Sequence, residues 1–189
     1  MTDEFIFDTS YGMMELPKSG FKCSGHGLVG LVDREKDLIG LEIGCDVGDT
    51  SFHLLNCLKK LTLHSIDPYT DYIDWNGNDL VSRHDTLDVA TKRLSTFGER
   101  FILHKKTSDD AIEDFDDAQF DFIFIDGLHT YEQLSKDCEN YYSKLKTGGI
   151  FAGHDFTAIA GVNRAATEFA KKVEKKISLI EVDVWYWVK

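Results

Sequence analysis

The sequence predicts a doubly wound α/β domain. Short runs that are apolar throughout recur along the chain, segments of helical spacing separate them, and only Asp183 stands between the last two β-rich runs. Strands apolar on both faces belong to parallel sheets, because each crossover lays a helix over one side. In chain order the runs are 38–43, 62–66, 101–104, 120–125 and 150–153, each too short for a buried helix and closed by Gly, Asp or Ser. After the first strand, Leu54, Leu55, Leu58 and Leu61 recur at helical spacing. After the fourth, so do Tyr131, Leu134, Cys138, Tyr141 and Leu145, with Gly148-Gly149 expected to stop that helix. The runs 177–182 and 184–188 have too little chain between them for a crossover, so a tight antiparallel pair should close the sheet. Residues 1–37, interrupted by Gly12, Gly20, Gly25, Gly27 and Gly30, read as an irregular arm or lid before a domain spanning 38–189.

Composition narrows the function. A length of 189 residues fits one domain, and 13 Phe, 7 Tyr and 3 Trp supply a core large enough to exclude disorder. The formal net charge of −12 repels phosphate backbones, so nucleic acid is a poor partner. No apolar run is long enough for a membrane span, and the first ten residues carry three acids and no base. The four cysteines form no CxxC pair and there is no N-glycosylation sequon, which fits a reducing, cytoplasmic setting. A homo-oligomer is compatible with this reading.

Two glycine clusters compete as a cofactor loop. Gly25-His26-Gly27-Leu28-Val29-Gly30 matches GxGxxG, but polar residues rather than a buried strand precede it, so it reads as a flexible segment. The second cluster, from Glu42 through Gly44 and Gly48 to Thr50 and Ser51, joins the first strand to the first helix, where backbone amides at a helix start can hold a carboxylate. Glu42 is expected to reach an amino group, and Gly44 and Gly48 to let a ligand lie against the backbone. Asp67 ends the second strand, where an acid accepts ribose hydroxyls.

These residues resemble class I S-adenosylmethionine-dependent methyltransferases, whose first motif reads acid-x-Gly-x-x-x-Gly; Glu42, Gly44 and Gly48 match it. The resemblance spans 38–189 and implies a Rossmann-like, seven-stranded, mostly parallel sheet with an antiparallel terminal pair. It implies S-adenosyl-L-methionine as cofactor and places the adenine-side contacts on Ser108 and Asp109. Strand four and its exit, Ile125-Asp126-Gly127-Leu128-His129-Thr130-Tyr131-Glu132, with Gly153-His154-Asp155-Phe156 further on, are similar to a subgroup containing cephalosporin-hydroxylase-like proteins and sugar or macrolide O-methyltransferases. That similarity implies His129 and Asp126 as catalytic residues, His129 being the general base. It also implies Asp126, His154 and Asp155 as ligands of Mg²⁺ or Mn²⁺, although a second carboxylate usually stands where this chain has His154. The implied acceptor is the hydroxyl of a small polar molecule, a sugar or glycan residue foremost. A phenol, amine or carboxylate acceptor, or a non-catalytic cofactor-binding module, are the alternatives. The aromatic and acidic loop 69–78 reads as part lid, part substrate wall.

Overall fold

The computed structural model describes residues 25–73, 76–181 and 183–189. The strands are β1 (Leu38–Ile43), β2 (Leu61–Ile66), β3 (Tyr72–Ile73), β4 (Leu80–Val81), β5 (Phe101–His104), β6 (Phe120–Ile125), β7 (Leu145–Gly153), β8 (Ser178–Ile180) and β9 (Val184–Val188). The α-helices are α1 (Asp49–Cys57), α2 (Thr86–Leu94), α3 (Ser108–Ala111), α4 (Tyr131–Tyr141) and α5 (Ala160–Lys172).

Seven strands form one sheet in the order β5-β2-β1-β6-β7-β9-β8, and β3 pairs with β4 in a separate two-stranded sheet. The first five strands of the large sheet run parallel. β9 is antiparallel to both β7 and β8, which gives the expected terminal pair. Strand order reverses at β1, which has β2 on one side and β6 on the other. A crevice opens beyond the strand ends at such a switch point.

Both faces of the sheet are buried because alternate strand residues point to opposite sides. On β6, Phe122 and Phe124 join a core with Leu54 and Leu55 of α1, Leu58 just after it, and Leu94 of α2. Ile123 and Ile125 join the other core, with Leu134 and Tyr141 of α4 and Val162 and Phe169 of α5. Gly40 is a packing necessity: it pairs with Phe122 across the ladder, and a Cβ there would lie 2.1 Å from the tip of that ring.

Two expectations need correction. Gly148 and Gly149 do not stop α4, which ends at Tyr141 and passes through a 3-10 turn at Tyr142–Lys144. They lie inside β7, where the pairing with β6 slips and the chain end takes over: the Lys189 amide donates to the Gly149 carbonyl at 2.9 Å. Gly148, at φ +83°, provides the left-handed residue that such a bulge requires. The second correction concerns the GxGxxG match. Residues 25–30 form a turn and a 3-10 helix whose Leu28 and Val29 are buried in the α1-side core, so the segment is packed rather than loose. The remainder of the expected arm, residues 1–24, lies outside the described residues. Within the loop 69–78, Tyr72 and Ile73 form β3 and pair with β4 beyond it; Asp74 and Trp75 lie outside the described residues.

A buried polar knot ties β1, α1 and β2 together below the crevice. Ser51 donates to Oε2 of Glu42, Ser65 donates to the same oxygen at 2.6 Å, and the two hydroxyls lie 3.0 Å apart. Three contacts cannot be made with two hydroxyl protons; a protonated Glu42 supplies the third. Burial points the same way, raising the Glu42 carboxyl from 4.5 to about 8 against the opposing hydrogen bonds of the two serines.

Two outcomes test this packing. Gly40→Ala is expected to lose about 1–3 kcal/mol of stability in a denaturant titration, since Phe122 must leave its rotamer or the strands must part. For Glu42, the folded chain keeps a proton that the unfolded chain releases, so the stabilisation is complete below about pH 4.5 and declines as pH rises towards 8. The melting temperature of Glu42→Gln should therefore gain on that of the parent between about pH 5 and pH 8. Parallel melting curves would exclude a buried neutral acid.

Candidate active site

The ends of three neighbouring strands set the site. Ile43 is level with Ile66 of β2 and Ile125 of β6, and the ladder continues one step further: the Gly44 amide donates to the Ile66 carbonyl and the Asp126 amide to that of Ile43. The β1–α1 loop, Asp67 and Asp126 consequently emerge side by side. They border a cleft of about 490 Å³ at the C-terminal edge of the sheet.

The loop bends through two left-handed glycines, Gly44 at φ +97° and Gly48 at φ +80°. Their missing side chains serve the protein before any ligand. A Cβ on Gly44 would stand 2.0 Å from the Asp126 carbonyl oxygen, and one on Gly48 would strike Leu94 at 2.7 Å. Gly44 and Thr50 line the cleft, Thr50 in the first turn of α1, where the helix dipole favours an anion. Glu42 and Ser51 are fully buried beneath the loop in the knot described above, so Glu42 is directed at Ser51 and Ser65 rather than into the cleft.

Asp67 is the organising acid. Its Oδ2 accepts the Cys45 and Asp46 amides at 3.2 and 2.9 Å, and its Oδ1 accepts the Tyr69 amide at 2.8 Å. Arg83 completes the set, donating to Asp67 Oδ2 at 3.0 Å and to Asp46 at 2.6 Å. Further along the cleft lie Ser108 and Asp109, joined there by two residues of α4. Gln133 donates to Ser108 Oγ and to Asp137, both at 3.1 Å, and burial lifts the Asp137 carboxyl to about 6.

Sequence reading missed Arg83, Gln133 and Asp137. The last two are an i, i+4 polar pair beside the apolar stripe of α4, a pattern that could have marked them. Arg83 has no such signal, since it reaches Asp67 across a non-repetitive loop.

At the other end, Asp126, His129, His154 and Asp155 come together as expected. His129 Nε2 lies 2.9 Å from Asp155 and 3.2 Å from Asp126, while His154 Nδ1 lies 3.2 Å from Asp155 and 3.9 Å from Asp126. Asp126 and His129 line the cleft, whereas His154 and Asp155 do not and reach it only through their contacts with those two residues. Burial alone would lower the His129 imidazole, but its hydrogen bonds to the two carboxylates outweigh burial and raise it to about 9. Burial likewise opposes ionisation of Asp155, and the two histidines overcome it, holding this carboxyl well below the usual range. Donor atoms of Asp126, His154 and Asp155 all lie within 4.8 Å of one another, a spacing that one divalent ion can bridge. Asp155 takes a left-handed backbone at φ +59°, a strained conformation of the kind that gathers at functional sites.

Two strand histidines pair with each other away from the cleft, His64 Nδ1 lying 2.9 Å from His104 Nε2. No helix among the described residues is long and apolar enough to cross a membrane.

Comparisons with known proteins agree with this geometry. Residues 41–156, more than half of the chain, match the family described as Methyltransferase domain. Among solved structures, a Staphylococcus aureus protein described as a candidate caffeoyl-CoA O-methyltransferase superposes with a TM-score of 0.63 at 16% identity, covering 89% of this chain and 84% of that one. The O-methyltransferase NovP gives 0.60 at 15% identity, covering 88% and 76%. The precorrin-6y C5,15-methyltransferase of Geobacter metallireducens GS-15 also gives 0.60 at 15% identity, covering 81% and 80%. A curated protein of Sinorhizobium fredii (strain NBRC 101917 / NGR234), Uncharacterized protein y4gI, is 34% identical over 53 residues, which span 28% of this chain but only 6% of that protein's length. With the matched segment running from β1 through the Asp126 and Asp155 cluster, the chain belongs to the methyltransferase-domain family and has the fold of its class I S-adenosylmethionine-dependent members.

Proposed function

We propose that the chain is an S-adenosylmethionine-dependent O-methyltransferase acting on a hydroxyl of a small polar acceptor, a sugar or glycan residue foremost. The observation that carries this reading is His129, placed between two carboxylates where the cleft meets the β6 edge. A cofactor-binding module without chemistry has no use for such a group.

The cleft suits the cofactor. Its volume of about 490 Å³ falls within the range of small-molecule sites, and Asp46, Asp49, Asp67, Asp109, Asp126 and Asp137 give its wall the acidic character that a sulfonium with an ammonium group requires. In this reading Asp67 accepts the ribose hydroxyls, Thr50 and the start of α1 hold the carboxylate, and Ser108 and Asp109, backed by Gln133, face the adenine. Glu42 acts from beneath, fixing the loop through Ser51 and Ser65.

S-adenosylmethionine supplies an electrophilic methyl carbon: the acceptor oxygen forms the new C–O bond as the C–S bond breaks and its electron pair passes to sulfur. The alcohol proton goes to the imidazole of His129, which must be neutral to receive it; with Nε2–H held by Asp126 and Asp155, the accepting nitrogen is Nδ1. Asp126 and Asp155 orient the imidazole and stabilise the imidazolium that results. Asp126, His154 and Asp155 would hold Mg²⁺ or Mn²⁺, whose charge would ease loss of the acceptor proton. The acidic wall disfavours anionic acceptors, which ranks a neutral polyol above a carboxylate. A phenol remains the second reading, because Leu128 and Tyr72 give the cleft an apolar side.

His129→Ala should bind S-adenosylhomocysteine within about twofold of the parent yet lose at least ~100-fold in turnover, the usual scale for a general base. Retained turnover would require a different base. Asp155→Asn should abolish any rate response to added Mg²⁺ or Mn²⁺, measured on whichever acceptor a panel of glycosides, phenols and amines identifies. An unchanged metal response would place the cation elsewhere.

A further inference from the structure

The acid expected to receive the ribose is already engaged. A carboxylate offers about four acceptor positions, two on each oxygen. Asp67 Oδ2 takes three donors, the Cys45 and Asp46 amides and Arg83 Nη2, and Oδ1 takes the Tyr69 amide. At most one position is left for two ribose hydroxyls. Solvent reaches little of either partner: the side chains of Asp67 and Arg83 are 8% and 12% exposed. Of Asp67's donors, the three amides belong to the loop fold itself; only the guanidinium can leave without unmaking it.

Arg83 also has the means to leave. It follows β4 and precedes α2, in a segment bound to the cleft by side chains rather than by sheet. Its amide donates to Asp71 at 2.7 Å, its Nη1 donates to Asp46 at 2.6 Å, and its guanidinium carbon lies 5.9 Å from the ring centroids of both Tyr69 and Tyr72. Among the described residues lining the cleft it is the only lysine or arginine. Arg83, just after β4, thus joins this part of the chain to two acids at the nucleoside end of the cleft.

We propose that Arg83 is a ligand-displaced latch. The guanidinium holds Asp46 and Asp67 until the ribose hydroxyls of the incoming nucleoside take its place on Asp67, releasing Arg83 from Asp46, Asp67 and Asp71. The inference rests on the cofactor reading above and adds that binding works against a built-in competitor.

The test is titration calorimetry of S-adenosylhomocysteine into the parent, Arg83→Gln and Arg83→Lys, with adenosine and 2′,3′-dideoxyadenosine as second probes. Arg83→Gln should bind S-adenosylhomocysteine and adenosine roughly fivefold to tenfold more tightly, because the ribose no longer competes with a largely buried ion pair. Arg83→Lys should fall between it and the parent, and dideoxyadenosine, lacking both hydroxyls, should gain nothing. Hydrogen exchange of the Arg83 amide in the parent should quicken when S-adenosylhomocysteine binds, a readout that needs no variant to fold. Equal or weaker binding by a folded Arg83→Gln, or slowed exchange at Arg83, overturns the latch while leaving the cofactor reading intact. No binding to parent or variants overturns both, and binding to Arg83→Gln alone supports both.

Discussion

Everything at the cleft depends on the register of β1 with its two neighbours. Because Ile43 lies level with both Ile66 and Ile125, three chain segments leave the sheet together, and Gly44, Asp67 and Asp126 come within reach of one small molecule. That register has its own physical requirements. Gly40 must be small for Phe122 to cross over it, and Gly44 must lack a side chain for the Asp126 carbonyl to approach. A slip of one residue would send every β1 side chain to the opposite face and bring Glu42 out of its buried knot. The glycines read as a ligand loop are therefore first of all a condition for strand packing, and the ligand site is its consequence.

The knot itself shows why the acid of the first motif can be a poor contact and still be required. Glu42 sits on β1, between β2 and β6, fully buried, with Oε1 unpartnered among the described residues and Oε2 shared by Ser51 and Ser65. An ionised carboxylate would be costly there, whereas a neutral acid closes a ring of three hydrogen bonds. By fixing Ser51 in the first turn of α1 to β2, it sets the direction in which the helix start faces the cleft.

Much of this was readable from residue patterns, and the failures have identifiable causes. The parallel strands were legible because burial on both faces leaves no polar alternation, and the terminal pair because a single aspartate cannot carry a crossover. Gly148-Gly149 misled because a helix stop and a strand bulge both call for a left-handed residue, and only the pairing partner, here Lys189, decides between them. Asp67 and Asp126 could be placed at the cleft because each directly follows a strand, whereas His129 and Asp155 were singled out through the resemblance of their motifs. Arg83 was not, since an ion pair formed across an irregular loop leaves no periodic trace; Gln133 and Asp137 were hidden beside the apolar stripe used to recognise α4.

The two ends of the cleft solve one electrostatic problem in the same way. Six aspartates line a cavity suited to a cationic cofactor, and without that cofactor their mutual repulsion would oppose folding. At the nucleoside end the compensating charge is Arg83, on Asp46 and Asp67. At the transfer end it is His129, whose raised affinity for a proton comes from Asp126 and Asp155. On the function proposed above, each cation would give way during catalysis: Arg83 to ribose hydroxyls, and the His129 proton before the imidazole could accept another. A divalent ion on Asp126, His154 and Asp155 would draw on the carboxylate oxygens that now hold His129 and would thereby favour its neutral form. On this view His154, in place of the more usual carboxylate, has a clear benefit: a third carboxylate would add charge where the empty cleft already carries too much.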